Sequence, residues 1–302
     1  MYFAKSLTVV AACLILYQVL SRISAWLRNK STNKQIYDLK DEIVLVTGGS
    51  GGIGKQIVED LHKREARVII LDVKKPTFEL PPGITFHEVD LRSSESILQV
   101  ATQIRESQGD PAVIVNNAGV CHIAPLLEKS EQDIRDTFEV NTISHFLIAK
   151  TFLPYMIQKN HGHIITVASV ASFVTVGGMV DYCCTKASAV AFHEGIRQEL
   201  KAWYKAANVK TSIIHPLWVD TPMIKSLTDH QTHFRQPVMS PQAVSDAVIE
   251  QIVLRRGDQV ILPRTMGIAG YLRAFPHWLQ EIIRSFHSEI VWKIGEVAPI
   301  KN

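Results

Sequence analysis

From Glu42 onward, short apolar runs alternate with longer stretches in which apolar residues return every three or four positions. This is the pattern of a parallel sheet wrapped by helices. The runs IVLVT at 43–47, RVIIL at 67–71, ITFHEV at 84–89, AVIVN at 112–116, HIITVA at 163–168, VKTSIIH at 209–215 and QVILP at 259–263 predict seven strands. They are too apolar on both faces for a half-exposed antiparallel sheet and fit strands buried between two helical layers. The periodic stretches predict helices near 52–64, 94–108, 131–159, 180–204 and 241–256, and Pro154 is expected to kink or end the long third one. No repeat of solenoid period and no low-complexity linker interrupts the series. The pattern therefore predicts one α/β domain, a doubly wound parallel sheet of the Rossmann type, with 217–240 as a long excursion inside it.

Both ends of the chain depart from this pattern. Between Lys5 and Arg22 lie 16 uncharged residues, which as a helix rise about 24 Å against a hydrocarbon core of about 30 Å. If Arg22 snorkels, the helix can continue through Ile23, Trp26 and Leu27, with Trp26 at headgroup level. A cleaved signal peptide, a spanning anchor and a segment lying in one leaflet compete for this run. No small-x-small cleavage site follows it cleanly, so an uncleaved membrane anchor is expected, spanning or monotopic. The tail is rich in Leu, Ile, Phe and Trp, and Trp278, Ile282 and Phe286 recur at helical spacing. It reads either as a helix covering the core or as a second membrane-touching surface. The expected organisation is an anchor with a basic flank over 1–34, a catalytic domain over 35–265 and an apolar helical tail over 266–302.

Composition and charge sharpen this picture. At 302 residues, 46% hydrophobic and 20% charged, the chain can bury a sizeable core, which excludes disordered and collagen-like classes. Residues 1–40 carry six basic side chains against Asp38 alone, so +5 of charge sits in the leader and the rest of the chain, within a total of +3, carries −2. The body thus has no electrostatic footprint for nucleic acid. The basic flank after the apolar run places that side of a membrane in the cytosol. Four cysteines, two of them the neighbours Cys183 and Cys184, make no disulfide framework and read as free thiols in a reducing compartment.

The candidate chemistry begins where the first strand runs into Gly48-Gly49-Ser50-Gly51-Gly52-Ile53-Gly54 and then a helix. Glycines there let the backbone turn tightly and approach a pyrophosphate, whose charge meets the N–H groups of the helix start. Asp72 ends the second strand, 18 residues after Gly54, where a carboxylate can accept both ribose hydroxyls of the adenosine half. The same carboxylate repels a 2′-phosphate and favours NAD over NADP, a preference softened by Lys74 and Lys75. Asp90 ends the third strand within reach of an adenine, and Asn116-Asn117-Ala118-Gly119 ends the fourth at the same sheet edge.

A dinucleotide site also needs a group that moves a proton. Tyr182 and Lys186 lie four residues apart and share a helix face, where an ammonium is expected to lower the phenol's pKa. A second pair, Tyr155 and Lys159, precedes a strand and falls at the opposite sheet edge, so it reads as surface or core. Ser169, after the fifth strand and thirteen residues upstream of Tyr182, can hydrogen-bond the substrate oxygen that the phenol protonates. Twelve histidines invite a metal site, but His161 and His163 flank a glycine and His230 and His233 lack a clear third ligand, so none is expected.

Gly48, Gly52, Gly54, the Asn116–Gly119 stretch, Asn141, Ser169, Tyr182 and Lys186 together resemble the short-chain dehydrogenase/reductase superfamily over about residues 40–265. The stretches Thr137-Phe138-Glu139-Val140-Asn141 and 161–169, with the N-terminal anchor, resemble its membrane-bound branch containing retinol dehydrogenase 10 and the 17β-hydroxysteroid dehydrogenases of types 11 and 13. The resemblance implies that Tyr182 is the general acid/base, that Ser169 positions the substrate oxygen, and that Lys186 tunes Tyr182 and binds the nicotinamide ribose. It implies that Asn141 holds a water in a proton relay and that Val219 and Thr221 contact the carboxamide. Gly48, Ser50, Gly52, Ile53, Gly54, Asp72, Asp90, Leu91, Asn117, Ala118 and Gly119 complete the implied cofactor site. Leu217 stands where many members have glycine after the proline, which alters the local turn. The implied protein is an oxidoreductase acting with NAD, or alternatively NADP, on a lipophilic alcohol, ketone or aldehyde of retinoid, steroid or fatty-alcohol type. It would sit at the endoplasmic reticulum or a lipid-droplet surface, with a homodimer admitted. The competing class is a non-catalytic nucleotide-binding scaffold on the same surface, whose mark would be a broken tetrad.

Overall fold

The computed structural model describes residues 38–40, 42–229, 234 and 236–297, together with Val19 and Ile23. Apart from those two helical residues, the expected anchor lies outside the described residues. Among the described residues no helix is long and apolar enough to cross a membrane.

Seven strands form one sheet in the order β3-β2-β1-β4-β5-β6-β9, every neighbouring pair parallel. They are β1 (Ile43–Thr47), β2 (Arg67–Asp72), β3 (Ile84–Glu88), β4 (Val113–Asn116), β5 (Gly162–Val167), β6 (Val209–Pro216) and β9 (Gln259–Leu262). Each lies within a residue or so of its predicted run. Side chains alternate across a strand, so the apolar runs divide cleanly between two layers. Val44, Val46, Val68, Ile70, Val113 and Val115 pack with α1 (Gly52–His62) and α7 (Pro241–Val253) on one side. Leu45, Ile69, Leu71, Ile114 and Ile164 pack with α2 (Ser94–Ser107), α4 (Ser144–Lys159) and α5 (Val180–Ala202) on the other.

The predicted helix over 131–159 is divided, but not at Pro154. Helix α3 (Glu131–Phe138) opens on a capping box between Ser130 and Asp133, a π-turn occupies Glu139–Ile143, and α4 runs on through Pro154 to Lys159. Pro154 is exposed, as is Lys150 one turn earlier, whose carbonyl loses its N–H partner on the solvent side where water can replace it. The wider turn instead falls at Asn141, which it leaves fully buried.

The excursion after β6 forms a small parallel pair, β7 (Trp218–Val219) with β8 (Val238–Met239), and the short helix α6 (Lys225–Thr228). The tail forms a 3₁₀ coil over Arg264–Ala274 and then α8 (His277–Val297). Helix α8 is tied to the loop before α5: Gly177 N donates to Ser288 Oγ (2.8 Å), and Val291 packs in a cluster with Ile123, Met179 and Tyr182.

Candidate active site

The sheet order reverses between β1 and β4, and the crevice above that point is where open α/β sheets take ligands. The glycine turn after β1 lies at its floor. Gly48 has φ +66° and Gly52 φ +52°, conformations that side chains disfavour. A Cβ on Gly54 would lie 2.0 Å from the Gly48 carbonyl oxygen, so only glycine lets α1 pack this close to the turn. No side chain caps α1 and no acidic residue occupies its first turn. Its N–H groups therefore remain available to an anion. Ser50 Oγ is buried here with no partner among the described residues. A cradle that a methyl would fill, an open helix start and an orphaned hydroxyl fit a pyrophosphate.

Asp72 is held at the mouth of this turn by backbone N–H groups, Oδ2 accepting from Ser50 N and Oδ1 from Lys74 N, both at 3.0 Å. Lys74 and Lys75 are exposed. Thr47 joins the glycine turn to the β4 loop: its Oγ1 accepts from Asn117 N and Ala118 N, both at 3.0 Å, while Asn117 Nδ2 donates to the Thr47 and Gly48 carbonyls. Asp90 is gripped by the Arg92 guanidinium, which also bridges to Asp136 and holds the Asp90 carboxyl below its ordinary pKa. Leu91 is buried in the layer that packs with α2.

Asn141, Ser169, Tyr182 and Lys186 converge although they come from three segments: the π-turn, the loop after β5 and helix α5. Asn141 accepts from Val120 N through Oδ1 and donates to Val120 O through Nδ2, both at 2.8 Å, which ties the π-turn to the β4 loop. It also donates to Thr185 Oγ1 on α5. Gly119 lies between these groups, a Cβ on it falling 3.4 Å from Asn141 Oδ1 and 3.7 Å from Lys186 Nζ. Lys186 Nζ donates to the Val167 carbonyl at 3.0 Å and lies 5.5 Å from the Tyr182 ring centroid. Ser169 Oγ accepts from Ala171 N at 3.1 Å and donates to the Pro216 carbonyl at 3.4 Å, and its hydroxyl beside Tyr182 favours the phenolate.

That influence does not prevail. Burial raises the Tyr182 pKa above that of an ordinary phenol, and burial likewise lowers Lys186 to about 8. The expected depression of the phenol by its lysine is thus reversed: the ammonium is turned to the Val167 carbonyl, and desolvation sets the direction. Tyr155 lies at the opposite sheet edge, in a groove with Glu42, Arg67 and His161, and Lys159 sits 5.8 Å from its ring.

Above Tyr182 opens a cavity of about 420 Å³. Val219 and Thr221 line it from the β7 segment, and Ile53 from α1. Sequence reasoning did not foresee most of its wall: Cys121 and Ile123 from the β4 loop, Trp218, and Leu272, Leu279, Ile283 and His287 from the tail. The signal for the tail was a second four-residue spacing, 279–283–287, one residue and about 100° round the helix from the one that drew attention. Cys121, Cys183 and Cys184 are free thiols. His163 is buried against Ser212 Oγ at 2.9 Å and His161 meets Glu42 at 3.1 Å.

A dinucleotide cradle at the switch point, with a buried tyrosine, lysine and asparagine and a half-buried serine beside it, defines the class. The chain matches the family described as short chain dehydrogenase over residues 42–232, and it belongs to that family. Its nearer relatives narrow the placement. It is 35% identical to human 17-beta-hydroxysteroid dehydrogenase 13 over 78% of this chain and 79% of that one. It is 34% identical to human estradiol 17-beta-dehydrogenase 11 over 75% and 76%. A solved short chain dehydrogenase from Burkholderia cenocepacia J2315 in complex with NADP superposes with a TM-score of 0.69 at 26% identity, covering 82% of this chain and 99% of that one. The chain is an NAD(P)-dependent oxidoreductase acting on CH–OH groups.

Proposed function

We propose that this chain is a membrane-associated dehydrogenase/reductase that interconverts a lipophilic alcohol and its ketone or aldehyde, with NAD as the preferred cofactor. One observation carries the reading: the wall beyond the tetrad is almost wholly apolar, so a substrate enters by burying hydrocarbon. The hydroxysteroid names of the relatives agree with a substrate of this kind.

When bound, the nicotinamide accepts or supplies the hydride. The chain's own residues hold it and handle the proton. The glycine turn and the start of α1 take the pyrophosphate, Asp72 the adenosine ribose, and Val219 and Thr221 the carboxamide end. Ser169 fixes the substrate oxygen. Tyr182, kept protonated by burial, donates its hydroxyl proton to a carbonyl oxygen in reduction, and as phenolate takes the hydroxyl proton in oxidation. Lys186 supports the phenolate once that forms, and Asn141, bound to Val120 and Thr185, orients the relay behind it.

The leader's apolar run and the outward face of α8, where Trp278, Ile282, Phe286 and Trp292 are exposed, support attachment to an endoplasmic-reticulum or lipid-droplet surface. The basic flank favours a cytosolic catalytic domain. The test is Tyr182→Phe assayed by nicotinamide absorbance on lipophilic alcohols and ketones. Turnover falls about 10²-fold or more while dinucleotide binding persists, and Tyr155→Phe leaves both unchanged. Wild-type turnover in Tyr182→Phe refutes the assignment.

A further inference from the structure

Strand β6 ends on His215-Pro216, beside the loop that carries Ser169. The last backbone hydrogen bond between β5 and β6 runs from Ala168 N to the Ile214 carbonyl at 2.8 Å. In a parallel ladder the next donor would be the N–H two residues further along β6, but that residue is Pro216 and has none. The ladder therefore stops just short of Ser169. The His215 side chain takes over there, its Nδ1 lying 3.1 Å from the Ser169 carbonyl oxygen.

A carbonyl oxygen has only lone pairs to offer, so Nδ1 carries the hydrogen in that contact. The ring is fully buried with its centroid 4.7 Å from that of Phe173, and burial lowers its pKa to about 4, so it is neutral. Nε2 is then a lone-pair acceptor, buried with no partner among the described residues. The one N–H toward Ser169 is thus the polar contact that this side chain supplies. Ser169 itself has an extended backbone, with φ −169° and ψ 160°. Its carbonyl also accepts from Ser172 N at 3.0 Å, its Oγ accepts from Ala171 N at 3.1 Å, and its hydroxyl proton goes to the Pro216 carbonyl at 3.4 Å. That last contact is long, and a substrate oxygen at closer range takes the proton from it readily.

We infer that His215 is a positioning residue for the reaction: by holding the Ser169 carbonyl beyond the point where Pro216 ends the ladder, it aims the Ser169 hydroxyl at the substrate oxygen. This rests on the role proposed for Ser169. Ser169 and Pro216 line the cavity, whereas His215 lies behind them and acts through the serine. Losing its donor leaves the hydroxyl in place but lets its direction wander, which lowers the fraction of bound substrate in reacting geometry. The dinucleotide cradle, built on β1 and α1, is left untouched.

The experiment pairs turnover of lipophilic alcohols with amide hydrogen exchange, both on the full chain. His215→Leu removes the donor, and His215→Asn keeps one, its Nδ2 standing near the place of Nδ1. The expected result is a kcat about tenfold lower in His215→Leu, with KM for NAD changed by less than about twofold, and recovery to within about threefold of wild type in His215→Asn. In a Ser169→Ala background His215→Leu lowers kcat by less than about twofold, which a general loosening of the fold would not do. Exchange of the Ala171 and Ser172 amides, both donors to Ser169, speeds about tenfold in His215→Leu and returns toward wild type in His215→Asn. If His215→Leu loses its fold, His215→Phe reads the same quantities. An unchanged kcat, a loss of equal size with and without the Ser169 hydroxyl, or unchanged exchange overturns the positioning role. Exchange that follows the His215 donor, with no turnover of any alcohol, supports the hold on Ser169 and overturns the proposed activity.

Discussion

Replacing Lys186 with methionine should abolish activity and yet stabilise the protein near pH 7. An ordinary lysine titrates near 10.5, and burial brings Lys186 to about 8. The side chain is 4% exposed, so solvent screening does little to relieve this. Below about pH 8 the lysine is charged in both the folded and unfolded chain, and holding the charge inside costs roughly 3 kcal/mol. As pH rises from 8 toward 10.5, the folded protein binds fewer protons than the unfolded one, so this cost fades. By pH 10 it is below roughly 1 kcal/mol. Methionine fills a similar volume without the charge but leaves the Val167 carbonyl without the donor now 3.0 Å away, a loss of roughly 1–2 kcal/mol at every pH. Lys186→Met should therefore exceed wild type by about 1–2 kcal/mol near pH 7 and fall below it near pH 10. Urea unfolding of both proteins at the two pH values measures this, and groups common to both cancel in the comparison. A stability difference that does not shrink by about 2 kcal/mol between pH 7 and pH 10 would show that the buried ammonium is not the cause.

Other perturbations probe the remaining parts. Asp72→Ser removes the acceptor for two backbone N–H groups and the charge that opposes a 2′-phosphate; the ratio of kcat/KM for NAD over NADP should fall about tenfold or more, and a wild-type preference for NADP contradicts the role given to Asp72. Gly54→Ala forces a Cβ onto the Gly48 carbonyl and should cost about 1–3 kcal/mol in unfolding free energy while weakening dinucleotide binding by calorimetry. Deleting residues 1–34 should leave cooperative unfolding intact and sharply reduce flotation with liposomes; flotation at the full-length level transfers the attachment to α8.

Much of this protein is written locally. The seven strands declare themselves because a buried parallel strand needs an unbroken apolar run, and each run is long enough to stand out from its neighbours. The glycine turn and Asp72 are legible because phosphate approach and ribose binding impose residue types at fixed spacing along one βαβ unit. The i,i+4 relation of Tyr182 to Lys186 is likewise local. It was equally true of Tyr155 and Lys159, and what separates the two pairs is the sheet edge each reaches. Burial decided the rest, because it is set by residues far away in the chain. It reversed the expected direction of the Tyr182 pKa and let α4 pass Pro154 on its solvent side. It also made the tail a wall of the cavity. The sequence marks the outward spacing of Trp278, Ile282 and Phe286, but only packing against the loop before α5 turns Leu279, Ile283 and His287 inward, since a helix period names two faces and the partner surface chooses between them.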